Sequence, residues 1–151
     1  INLKDIDKQS WQKLISWMPQ EPHFPVLSVL NTLQLADPKQ STDQLLEILE
    51  TVGLDLSQLP QAEQTKLGTL LEQLSIGQKR KIALARALIK PAQLLILDEP
   101  TASVDIESQE RIDNLIRTSA QNGQMVLVVS HRSQSLLTAD SVLDFDNRVV
   151  V

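Results

Sequence analysis

Two carboxylates, Asp98 and Glu99, stand side by side after the apolar run Leu94–Leu97 and just before Pro100. The run is short enough for a strand buried on both faces. Neighbouring strand residues point to opposite faces, so two acids inside the strand would be costly. At its C-terminal end both can reach a crevice, where open α/β sheets bind ligands. Pro100 has no N–H to give and is expected to stop the ladder. One acid at such an edge can hold Mg²⁺ through water, and the next can orient or deprotonate an attacking water.

Four further features keep a fixed order about this edge. Gln20 opens the Pro-punctuated loop QEPHFP after a short apolar stretch. LSIGQ, Leu74 to Gln78, leads into a helix that precedes the acid pair by about one helix length. TASVD follows the pair, and His131 ends the next apolar run. Each alone has a plainer reading: a surface Gln, a helix-capping Ser, a satisfied polar His. Their joint order gives them weight as a set.

The elements that must position these residues follow from pattern. Ile1–Ile6 reads as the end of a strand, Ser10–Ile15 as a helical turn capped by Ser10, and Ile15–Met18 as a brief strand. Val26–Ala36 has helical apolar spacing. Ser41 or Thr42 caps the next helix, whose stripe is Leu45, Leu46, Ile48, Leu49 and Val52, with Gly53 at C′. Residues 54–73 read as loop with one helical turn. The helix after LSIGQ turns Ile82, Ala85, Leu88 and Ile89 to one side, leaving Lys79, Arg80, Lys81 and Arg86 on what is expected to be a solvated face. Asp105 caps a helix to about Ala120, with Glu107 and Glu110 near its positive end. MVLVV, Met125–Val129, is a second fully apolar strand. A short helix at Ser133–Leu137, a strand at Val142–Phe145, a turn at Asp146-Asn147 and a strand at Arg148–Val151 finish the chain. Strand–helix–strand alternation about the acidic edge predicts a right-handed crossover and a parallel sheet.

Composition removes several classes. The 151 residues suffice for one domain with a core, and 42% hydrophobic with 22% charged content fits a globular chain. A net charge of −5 and 3% aromatic residues argue against a nucleic-acid surface. Cysteine is absent, which excludes disulfides and thiolate metal sites. No apolar run approaches the roughly 18 residues of a membrane span. The four glycines, Gly53, Gly68, Gly77 and Gly123, are too scattered for a Gly-rich phosphate loop.

The ordered set resembles the nucleotide-binding domain of ABC-type ATPases over nearly the whole chain. Gln20 is similar to the Q-loop glutamine, LSIGQ to the signature, LILDEP to Walker B, ASVD to the D-loop and His131 to the switch histidine. The resemblance implies an α/β fold: an incomplete P-loop NTPase core with a parallel-sheet back half and an inserted helical subdomain. Residues 1–25 would be the end of the core's front part and the Q-loop, 26–89 the helical subdomain with the signature, and 90–151 the C-terminal half of the core. It further implies ATP and Mg²⁺ as cofactors. Asp98, with Gln20, would serve the metal; Glu99 would be the general base and His131 would stabilise charge on the γ-phosphate. Ser75, Gly77 and Gln78, at a helix N-terminus, would form an anion site for nucleotide held by a second nucleotide-binding domain, and Asp105 would communicate across that interface. Transmembrane domains would be the other partner, at the cytoplasmic face of a bacterial inner membrane, and no nucleic acid is expected.

The stretches ISWMPQEPHFP and LSIGQKRKIALARAL resemble more narrowly the CydD-type subunits of heterodimeric bacterial exporters of cysteine and glutathione, with a CydC-like subunit as partner. Ile76 departs from the signature, which has a glycine-type residue there, while Ser75 and Gly77 are kept. Walker A is expected upstream of Ile1. The chain is therefore expected to be an association-prone fragment with little ATP hydrolysis of its own and with apolar core surface left open. Two other roles stay open: a soluble ABC ATPase of DNA repair or translation, and a regulatory half-site module. The presence of Glu99 and His131 disfavours the second.

Overall fold

The computed structural model describes residues 3–132, 139–144 and 149–150. After a 3₁₀ turn at Leu3–Asp5, helix α1 spans Lys8–Leu14 and runs directly into strand β1, Ile15–Met18. The cap of α1 is Asp7, whose carboxylate accepts from the Ser10 N–H at 2.8 Å, so the expected Ser10 cap is corrected by three residues. Aspartate bonds the first turn as well as serine does, and here it lies the right distance upstream.

Helices α2 (Val29–Gln34) and α3 (Thr42–Thr51) follow. Helix α2 starts three residues later than the apolar spacing suggests. Ser28 caps it, and the chain before it pairs with a distant segment, through Val29 N–H to Thr65 O and Leu67 N–H to Leu27 O. Val26 is consequently exposed, and its backbone lies so close to Gly68 that a Cβ there would sit 2.6 Å from the Val26 Cα. Helix α3 starts on a Ser41–Gln44 capping box, buries Leu45 and Leu49, and ends before Gly53, whose φ of +76° suits glycine at C′. Residues 54–73 hold more structure than one turn: 3₁₀ turns at Leu56–Gln58, Ala62–Gln64 and Leu71–Gln73, and the short helix α4, Leu67–Leu70.

Helix α5 (Ile76–Ile89) leads to strand β2 (Leu94–Asp98), helix α6 (Ile106–Gln121) and strand β3 (Met125–Val129). The sheet order is β1-β2-β3, all parallel, with Trp17, Ile96 and Leu127 in one register row. Leu143–Asp144 (β4) and Val149–Val150 (β5), within the two strands expected at Val142–Phe145 and Arg148–Val151, form a separate antiparallel pair. The helix expected at Ser133–Leu137 and the turn at Asp146-Asn147 lie outside the described residues. Among the described residues no helix is long and apolar enough to cross a membrane.

The core forms between one face of this sheet and the helices. Met18, Leu95 and Leu97 are fully buried with Ile82, Ala85 and Ile112, and the cluster continues through Leu33, Leu45, Leu49 and Leu67. Each such leucine contributes on the order of 2 kcal/mol by leaving water. Ser16 points into the same layer and donates its hydroxyl to Ala87 O at 2.7 Å, which ties β1 to α5. The opposite face is open, against the expectation of strands buried on both sides. Trp17 is 60% exposed and Leu127 52%, with Met125 and Val129 exposed on the same alternation. Period-two alternation is therefore present in burial but absent from sequence, because both faces are apolar. Open apolar surface was itself an expectation, and the geometry locates it on this face.

Candidate active site

All three parallel strands release a candidate residue at the same edge. Met18 pairs with Leu97 and Asp98 with Val129, so Gln20, Asp98, Glu99 and His131 leave adjacent strands within two residues of the last paired rung. Gln20 is exposed on the bend after β1. Asp98 is the last residue of β2 and half-buried on the open face of the sheet.

Glu99 departs from the expected end of the ladder. It keeps pairing, its N–H donating to Val129 O at 2.9 Å, and only then does the chain turn away. Its φ is +51°, in the left-handed region that non-glycine residues avoid. This twist buries the residue to 7% exposure and points its carboxylate at the start of the segment after β3. There Oε1 accepts from the His131 N–H at 3.1 Å. The His131 ring is exposed, and its Nε2 is 3.7 Å from the same oxygen, beyond hydrogen-bond reach. The structure thus brings Glu99 and His131 together beside the strand end that carries Asp98, with the imidazole exposed.

Ser75, Gln78 and Asp105 form a second group. Ser75 caps α5: its Oγ accepts from the Gln78 N–H at 3.1 Å, and the Gln78 Oε1 accepts from the Ser75 N–H at 2.9 Å. The plain capping role is therefore present, and the Ser75 hydroxyl proton stays available to an acceptor. Asp105 caps α6, accepting from the Ser108 N–H at 2.8 Å and the Ser108 hydroxyl at 2.6 Å. Those bonds, the hydroxyl first, and Lys81 at 3.3 Å hold its carboxyl well below the usual carboxylate range. Gly77 joins the two groups: a Cβ there would lie 3.0 Å from Ser103 O, so a larger residue would push away the turn that follows the acids.

Three cations expected to be solvated are turned inward. Arg80 donates to Glu99 O and Ala102 O, Lys81 to Gly53 O, and Arg86 to His23 O while lying 5.3 Å from the Phe24 ring centroid. The signal that could have found them is that Ile82, Ala83, Leu84, Ala85 and Ala87 leave α5 almost no free face for solvated charge. A cleft of about 260 Å³ lies beside Lys81, lined by Gly53, Asp55, Gln78, Asp105 and Arg111.

The donor set fits magnesium. Asp98 and Gln20 offer oxygen ligands at one edge, and Mg²⁺ commonly takes one or two carboxylates together with phosphate oxygens. No group of three or more His, Cys, Asp or Glu side chains that could hold a metal ion occurs among the described residues.

Comparison with known proteins places this geometry in context. A family profile described as ABC transporter matches residues 1–102. The chain is 35% identical over 144 residues to the glutathione/L-cysteine transport system ATP-binding/permease protein CydD of Escherichia coli (strain K12), covering 94% of this chain and 24% of that protein. It is 32% identical over 154 residues to the lactococcin-A transport/processing ATP-binding protein LcnC of Lactococcus lactis subsp. lactis, covering 100% of this chain and 20% of that one. A solved bacterial Atm1-family ABC exporter with ATP bound superimposes with a TM-score of 0.82 at 22% identity, over 93% of this chain and 25% of that chain. The chain thus spans about a quarter of the length of these relatives or less. The fold is that of an ABC ATPase core.

Proposed function

The chain belongs to the ABC transporter family, and from that membership we propose that it is part of the ATP-binding and ATP-hydrolysing unit of an exporter. The observation that carries this reading is the common strand edge, where Gln20, Asp98, Glu99 and His131 converge and the Glu99 carboxylate is held by the His131 N–H. Bound Mg²⁺–ATP would supply the phosphoanhydride whose cleavage drives transport. Asp98 would hold the metal, with Gln20 as a second oxygen donor at the same strand edge. Glu99 takes the proton of the attacking water, its buried carboxylate already aimed by one hydrogen bond. The His131 ring swings from its exposed position to stabilise charge on the terminal phosphate.

The partners follow from the same reading. Ser75, Gly77, Gln78 and Asp105 serve nucleotide bound by a second nucleotide-binding domain. Residues 26–89 act as the helical subdomain, and the Gln20 loop meets the transmembrane domains at the cytoplasmic face. The 35% identity to CydD, a glutathione/L-cysteine transport protein, supports cysteine or glutathione as cargo, and the partner we propose with it is a CydC-like subunit. A nucleic-acid machine is less favoured, since the net charge is −5.

Measuring ATP binding and hydrolysis in the full-length protein tests this reading. Glu99→Gln should retain ATP and lose turnover by about 100-fold or more, on the scale of general-base catalysis. Normal turnover in Glu99→Gln would reject Glu99 as the base.

A further inference from the structure

We infer that Arg80 is a positioning residue for Glu99, holding the main chain of the acid in the left-handed turn that aims its carboxylate. The inference rests on the role proposed above for Glu99.

The turn from Glu99 to Ser103 needs an external hold. Glu99 has φ +51° and Ser103 φ +61°. A non-glycine residue in that region is strained, and the conformation persists only where surroundings over-determine it. On the sheet side, Glu99 N–H is fixed to Val129 O at 2.9 Å. Within the turn, Ala102 N–H bonds Glu99 O at 3.2 Å. Neither bond ties the turn to the helical layer. Arg80 does so, since one guanidinium nitrogen donates to Glu99 O at 3.2 Å and to Ala102 O at 2.8 Å. It thereby grips the first and last residues of the four-residue span Glu99–Ala102, which begins at one positive-φ residue and ends just before the other.

The base of this clamp is stiff. Arg80 sits two residues before Ile82, which is fully buried, on a helix also fixed by Arg86 to His23 O and by the Ala87 carbonyl to Ser16. One turn earlier, Gly77 lets the helix approach Ser103 O. A charged donor on a carbonyl is among the stronger hydrogen bonds. Without it Glu99 O keeps only the Ala102 N–H, and the turn that holds Glu99 at its positive φ, and with it the direction of the carboxylate toward the His131 N–H, loses its tie to the helix. Misplacement by about 1 Å is enough to cost a base much of its effect.

The test uses the full-length protein with Arg80→Ala, Arg80→Lys and Lys79→Ala, each also in a Glu99→Gln background. Steady-state kinetics and hydrogen exchange of the peptide 98–105 are read together. The expected result is a fall in kcat of about tenfold or more, an ATP KM within about twofold, and faster exchange over 98–105 with the middle of α5 unchanged. Arg80→Lys should recover part of the rate, Lys79→Ala should match wild type, and Arg80→Ala should add no further loss to Glu99→Gln. Three outcomes overturn the inference: unchanged kcat in Arg80→Ala, an equal further loss in the Glu99→Gln background, or unchanged exchange over 98–105. If Glu99→Gln itself turns over normally, the base assignment fails, and exchange alone decides whether Arg80 holds the turn.

Discussion

The main-chain N–H of His131 reaches back to Glu99 Oε1 across 3.1 Å, joining the ends of two neighbouring parallel strands through one buried carboxylate. This bond does structural work whatever chemistry the acid performs. Glu99→Gln keeps an oxygen that can accept it, whereas Glu99→Ala leaves the part-buried N–H without that partner. Urea denaturation should show Glu99→Gln close to wild type and Glu99→Ala destabilised by about 1–3 kcal/mol. Equal losses in the two variants would mean that the bond is not made in solution.

Lys81 contributes chiefly through a carbonyl. Its side chain is 13% exposed and donates to Gly53 O at 2.9 Å, whereas its ionic partner Asp105 is 61% exposed. An ion pair that open to water is worth little. Lys81→Met keeps the stem and removes the charge, and should cost about 1–2 kcal/mol by orphaning the Gly53 carbonyl. Raising salt to 1 M should leave that difference nearly intact. A difference that salt abolishes would assign the effect to the ion pair instead.

Asp105 should matter as a helix cap with a defined pH signature. Removing the cap by Asp105→Ala is expected to cost about 1 kcal/mol at neutral pH. The Ser108 hydroxyl and N–H, with Lys81, lower the carboxyl's pKa in the folded state. A lowered acid stabilises above its unfolded pKa of about 3.9 and loses that contribution as pH falls toward the folded value. The gap between wild type and Asp105→Ala should therefore be flat from neutrality to about pH 5 and narrow below about pH 4. A gap that widens on acidification would contradict the cap geometry.

Two glycines should respond unequally to alanine. At Gly68 a Cβ would collide with Val26 Cα at 2.6 Å, backbone that cannot move without breaking the pairing of 27–29 with 65–67. At Gly123 nothing lies within 4 Å, and only the φ of +88° resists. Gly123→Ala should cost about 1 kcal/mol and Gly68→Ala clearly more, by at least twofold in thermal-melt comparisons. The reverse order would place the 26–29 segment wrongly.

The open sheet face should make the isolated chain associate. Trp17, Ile96 and Leu127 share one row across all three strands, and Trp17 and Leu127 are more than half exposed. Light scattering at rising concentration should show self-association that Leu127→Thr weakens, since a contiguous apolar patch is what drives it. A monodisperse monomer for the unmodified chain would count against this.

Much of the fold was legible because its signals are local. Ser41, Ser75 and Asp105 each cap a helix where side chain and first turn are three residues apart, and a cap needs nothing from the rest of the chain. The same locality explains the failure at Ser10: Asp7 and Ser10 are both good caps one turn apart, and the choice between them is made by where α1 meets β1. Val26 was misplaced because its neighbours pair with residues some forty positions away, which no local spacing records.

By itself, then, the sequence determined the strand ending in Asp98 and Glu99, the order of the motif residues about it, and the helices that separate them. Those depend on short-range chemistry: apolar runs, capping groups, proline and glycine. Tertiary structure alone decided which face of MVLVV is covered, that Glu99 twists into the left-handed region to meet the His131 N–H, and that Arg80, Lys81 and Arg86 turn inward to carbonyls. A long cationic side chain carries the same charge in water or against a carbonyl, so only packing of the surrounding helix says which it meets.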